Sequence, residues 1–158
     1  MIDTNTNINT VINNDNHYCN NIQPQYLQIT SSILLVSFVF FIFYSRKNTP
    51  EITLAILVLI AFIFSQLFWN NPIQYSYIHK IDAFIAKIAI LLFICYTLFY
   101  KRLGNILLCT YLCFIAFMIY FFYLSDYFSK NEWCCSSHLF YHGLSHLCCG
   151  VASLYAFI

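Results

Sequence analysis

The chain has 158 residues and a formal net charge of +1, with 61% hydrophobic and only 8% charged residues. A mean hydropathy of +0.69 excludes an ordinary soluble globule, and no basic cluster is large enough to hold nucleic acid. These values leave an all-α polytopic membrane helix bundle of about five transmembrane helices, with enough chain for one domain.

Residues 1–28 form a polar, Asn-rich tail with Asp3, Asp15 and no Lys or Arg, the reverse of the basic start of a signal peptide. That composition predicts disorder over residues 1–16. A transmembrane helical domain follows over residues 29–158. Its first apolar stretch, 29–44, falls short of the about 20 residues that a bilayer helix needs, so it tilts little or continues upstream. The second, 52–69, is opened by Pro50, where a first-turn proline is cheap, and closed by Asn70, Asn71 and Pro72. The third and fourth are 81–100 and 103–124. The last, 134–158, exceeds one span and can begin in the interface.

Trp69 and Trp133 mark a membrane interface on one side. Gly104 and Gly143 are too isolated to specify a helix-packing motif. The adjacent pairs Cys134–Cys135 and Cys148–Cys149 read as packing or local thiols rather than a disulfide framework. Arg46 and Lys47 follow the first span, and Lys101 and Arg102 follow the third; the opposite side carries Lys80 and Lys130. This bias predicts a luminal or external N-terminus and a cytoplasmic C-terminus. Lys87, near the start of the third span, can snorkel and narrow the bias.

Against this background four polar residues stand out. Spans alternate in direction, so Ser65 near the end of the second, Asp82 at the start of the third, and His142 and His146 early in the fifth share one membrane side. At 1.5 Å per residue they fall within roughly 20 Å of depth. His142 and His146 share a helix face, and two imidazoles at that spacing can converge on one ion. Asp82 can ligate such an ion, hold its water or accept an imidazole proton. Ser65 can donate to a substrate oxygen or to Asp82. Structural readings stand beside these: the histidines as interhelical hydrogen-bonding glue, Asp82 as a helix cap or an interfacial carboxylate near Lys80, and Ser65 as helix packing. Shared depth favours a polar intramembrane site. His79 offers a third imidazole if the helix already begins there; otherwise it is a loop residue. His138 extends the histidine row toward the surface, above the site.

The segment from Ser65 to Trp69, followed by His79 to Asp82, resembles a Ser-x-x-x-His motif on a second helix with an Asp at the start of a third. His142 to His146 resembles the closing His-x-x-x-His of the same superfamily, which includes alkaline ceramidases, progestin/adiponectin-type receptors and haemolysin III-like proteins. More faintly, Tyr18 to Asn21 and Gln28 to Leu34 resemble the entrance of ceramidase-like members. The resemblance implies Zn2+ on His142, His146 and a third ligand, for which His79 is the candidate. It also implies Asp82 activating water, Ser65 supporting an oxyanion, and hydrolysis of a lipid amide such as the sphingolipid ceramide. Trp69 stands where the first zinc histidine is expected, and Asn20 and Asn21 replace carboxylates of a calcium site. The relatives have seven spans, and an even loss keeps the last helix in the same direction. Three classes stay open: a zinc-dependent lipid amidase, a lipid-sensing receptor or interaction protein, and a structural membrane protein. Oligomeric state is not encoded in any of these motifs.

Overall fold

The computed structural model describes residues 24–158, which form six helical segments: α1 Pro24–Ser31, α2 Ile33–Tyr44, α3 Thr49–Asn70, α4 Tyr77–Phe99, α5 Asn105–Asn131 and α6 Ser136–Leu154. No strand occurs among the described residues. Ser32 interrupts α1 and α2, which together make one apolar unit, Pro24–Tyr44. The first span thus continues upstream, and it takes the last residues of the polar tail into the bundle. The disorder expected for 1–16 falls outside the described residues.

Pro24–Tyr44, α3, α4 and α5 are each long and apolar enough to cross a membrane. The chain is an integral, multi-pass membrane protein. The 19-residue α6 is less apolar because it carries His138, His142, His146 and four serines. It tolerates them because α1, α2 and α5 all pack against it, which shields those groups from lipid.

Local chemistry sets the helix starts. Asn48 caps α3 by accepting from the Glu51 N–H at 2.9 Å, with Pro50 in the first turn and Glu51 at the positive end of the helix. Ser76 caps α4 by accepting from the His79 N–H at 3.2 Å. Asp82 lies more than a turn beyond that cap, so capping does not explain it.

The helices form an arc in the order α4, α3, α2, α6, α5, with α1 wedged between α3 and α6. Although a short connection joins α4 to α5, the two helices barely touch each other. The arc is therefore open along one side.

Helices in lipid are held by close packing and polar contacts, because the solvent is as apolar as their own side chains. Ser37 on α2 donates to the Gly150 carbonyl at 3.0 Å and meets Ser153. Gln66 on α3 donates to the Gln28 carbonyl at 2.8 Å and to Ser31 at 2.7 Å. Gly143 and Gly150 lie one heptad apart on α6. A Cβ on Gly143 would come within 2.6 Å of the Tyr26 ring, and one on Gly150 within 2.6 Å of Ile33. Gly143 is thus not isolated: its spacing to Gly150 makes a seam for α1 and α2. Gly150→Ala is expected to cost about 1–3 kcal/mol by overpacking, read as a lower unfolding temperature in detergent. Gly104→Ala, with open space around it, serves as the neutral control.

At the end holding the 45–48 and 100–104 connections, Glu51 is fully buried. Its carboxylate accepts from Lys101 at 3.0 Å, from the Tyr96 hydroxyl at 2.8 Å and from the Ser45 hydroxyl at 2.6 Å. This cluster ties both connections together over the apolar layer of Leu54, Ala55, Val58, Phe93 and Phe157.

Candidate functional site

The opposite end is built from the end of α3, the first turns of α4, the end of α5 and the start of α6. Ser65, His79, Asp82, His142 and His146 all line one cavity there, with a volume of about 700 Å³. It runs from the α5–α6 connection at Trp133 down to Ala61, Ile90 and Cys149, roughly 15–20 Å along the helices at 1.5 Å per residue. Much of its α4 and α5 lining flanks the open side of the arc.

Aromatic rings form the upper wall. His79 stacks on Phe68 with centroids 4.7 Å apart and planes 6° from parallel. Trp69 and Trp133 lie nearly parallel at 6.5 Å. Trp69 also meets the His142 ring edge-on at 5.0 Å, and the His142 and His146 rings are 4.7 Å apart.

Each of the four described histidines uses Nδ1 in a hydrogen bond, and the partner fixes what Nε2 can do. The Tyr75 N–H donates to His79 Nδ1 at 3.0 Å, and the Cys134 N–H donates to His138 Nδ1 at 3.2 Å. A neutral imidazole that accepts at Nδ1 carries its proton on Nε2. We therefore assign His79 and His138 as Nε2–H donors. Thr30 spends its proton on the Leu27 carbonyl at 3.2 Å and so accepts from His146 Nδ1 at 3.1 Å, leaving His146 Nε2 with a free lone pair. His142 Nδ1 pairs with Ser125 at 3.0 Å, where either group can donate. The histidines thus bridge α6 to α1 and α5, and they line the cavity as well.

Zinc of the implied kind needs three protein ligands and an open position. With Zn–N near 2.0–2.1 Å and tetrahedral angles, two ligating imidazoles have centroids about 5 Å apart. The 4.7 Å between His142 and His146 fits two of those positions. Trp69, whose ring lies 5.0 Å from that of His142, offers no metal ligand at the position where the resemblance expects a third histidine. His79 lies against Phe68 and Trp133, with its Nδ1 taken by the Tyr75 N–H. Among the described residues, no three His, Cys, Asp or Glu side chains gather as an ion-holding group. The residues present do not fit a three-histidine zinc centre.

No protein-family model, curated protein or solved structure matches the chain. The site is read from its own chemistry. Ser65 Oγ, Trp69 Nε1 and Trp133 Nε1 are buried without a hydrogen-bond partner, and all three residues line the cavity. Asp82 makes neither of the two ion pairs present among the described residues.

Several cavity residues escape a reading from sequence. Trp133 looks like an interface marker but forms part of the wall. His138 is buried in the wall rather than sitting above it, and the four-residue row through His142 and His146 was its signal. Ser125 lies beyond the predicted end of the fourth span, and Thr30, outside the cavity lining but bonded to His146 Nδ1, gave no signal. Cys134, expected to be a packing or local thiol, is disulfide-bonded.

Proposed function

We propose that this membrane protein binds a lipid in the cavity, with the headgroup among the histidines, Asp82 and Ser65 and the chain running down between α4 and α5. One observation carries the reading: groups from α3, α4 and α6 that are costly in hydrocarbon all line a single cavity of about 700 Å³, a size suited to a small-molecule ligand. A purely structural role accounts for the hydrogen bonds of His142 and His146 but not for the unpartnered Ser65, Trp69 and Asp82.

Ala86 lines the cavity on α4, so Ala86→Trp takes up cavity space while leaving every polar residue of the lining in the sequence. Labelling of the purified protein by a photoactivatable lipid is expected to fall about tenfold or more in this variant. Equal labelling would sink the reading. The polar end faces the lumen or the exterior in this proposal. The four basic residues of the 45–48 and 100–104 connections sit at the other end, and the disulfide at Cys134 suits an oxidising compartment. Protease protection of a tag placed in the 100–104 connection checks that orientation.

A second reading is a zinc-dependent hydrolase of a lipid amide such as ceramide. It is favoured by the free Nε2 of His146, the 4.7 Å spacing to His142, and Ser65 and Asp82 on the same cavity. It needs a third ligand from outside the histidine set. Turnover of a fluorescent ceramide that disappears in His142→Ala would support it. Bound lipid with neither turnover nor metal would leave binding alone.

A further inference from the structure

We propose that the cavity selects a lipid with a zwitterionic headgroup, pairing Asp82 with its cationic group and Lys87 with its anionic group. The proposal rests on the lipid-binding reading above and goes on to name the ligand class. Both residues line the cavity from α4. They lie about 7 Å and about 15 Å along the helix from its first residue at 1.5 Å per residue, which is hydrocarbon depth for Lys87. The ion pairs among the described residues are Lys101–Glu51 and Lys130–Asp126; neither Asp82 nor Lys87 takes part, and they do not pair with each other.

Four charged groups face this cavity: Asp82, Lys87, Asp126 and Lys130. Asp126 and Lys130 neutralise each other at 2.6 Å. One acidic and one basic side chain are left, in a cavity set in the membrane and lined by Ala, Phe and Trp side chains as well as three Ser and four His. An unpaired charge in such surroundings carries a large desolvation penalty. A neutral headgroup leaves both penalties standing, and a singly charged one leaves one. A zwitterion relieves both. Lys87 is exposed on the open side between α4 and α5, where a lipid can reach it sideways from the bilayer.

The test offers delipidated protein in mixed micelles four lipids with identical chains: diacylglycerol, phosphatidic acid, phosphatidylethanolamine and phosphatidylcholine. Retention is measured by native mass spectrometry. The two zwitterionic lipids are expected to bind about tenfold tighter than the neutral and anionic ones. Asp82→Asn removes the advantage over phosphatidic acid, and Lys87→Gln removes the advantage over diacylglycerol. Unfolding temperatures control for folding. Should either single variant fail to fold, the uncharged double variant Asp82→Asn/Lys87→Gln carries the test, with a preference for diacylglycerol as the expected result. Equal retention of all classes by the wild type, or preferences unchanged in the variants, overturns the selectivity while leaving lipid binding intact. No retention of any lipid overturns the underlying reading as well. Displacement of bound lipid by soluble glycerophosphocholine or glycerophosphoethanolamine overturns a lipid source in favour of a free solute.

Discussion

Glu51→Ala is expected to lower the stability of the bundle by about 3–5 kcal/mol, the usual penalty for breaking a buried ion pair from one side. The Glu51 side chain is 0% exposed and that of Lys101 is 11% exposed. Removing the carboxylate leaves an ammonium and the hydroxyls of Tyr96 and Ser45 facing an apolar layer without their acceptor. The loss is largely the desolvation of what remains, so an apolar replacement of both partners, Glu51→Met with Lys101→Met, recovers most of it. Glu51→Gln keeps the shape and an acceptor oxygen and falls between the two. Unfolding in mixed detergent micelles, followed by circular dichroism, measures all three. A Glu51→Ala protein within about 0.5 kcal/mol of wild type would place the cluster among weak exposed ion pairs. Because the cluster sits at the end away from the cavity, lipid affinity of the folded fraction should stay unchanged.

The same cluster marks a limit of the sequence. Lys101 reads there as one of four loop cations that orient the chain, and Glu51 as an ordinary acidic residue in a first helical turn. Their pairing joins residues fifty positions apart and exists because two connections fold onto each other, an arrangement with no local signature. The site was more legible. Span parity alone sends Ser65, Asp82, His142 and His146 to one end, and it survives errors of several residues at each helix boundary. Those errors were real. The start of α4 at Tyr77 rather than at residue 81 is set by the Ser76 cap, which apolar content does not register. The run of α5 to Asn131 rather than to 124 carries Ser125, Asp126 and Lys130, polar because they line the mouth of the cavity. The proton positions of the histidines were beyond reach. His146 takes its tautomer from Thr30 in a distant helix, and the opening between α4 and α5 is an absence of contact that no periodicity encodes.

Trp69→His is expected to turn the cavity into a zinc site, raising affinity for the ion on the order of a hundredfold through one added ligand whose binding energy couples to the fold. Two of the three ring spacings that a shared ion needs are already present. The ring at position 69 lies 5.0 Å from His142, and His142 lies 4.7 Å from His146, both close to the about 5 Å of imidazoles sharing a tetrahedral ion. His146 presents a free Nε2, with its Nδ1–H held by Thr30 in the manner that orients metal-bound imidazoles. Metal analysis against a competing chelator gives the affinity, and zinc should raise the unfolding temperature of the variant far more than that of wild type. Trp69→Phe keeps an aromatic ring without adding a ligand and should leave zinc binding unchanged. Adding His142→Ala to Trp69→His should abolish the gain. If Trp69→His gains nothing, α3 and α6 do not meet as the zinc-hydrolase resemblance requires, and the hydrolase reading falls while lipid binding stands on the cavity alone. If it gains stoichiometric zinc, His142 and His146 are placed as the proposed hydrolase reading needs, and that reading lacks only a third ligand.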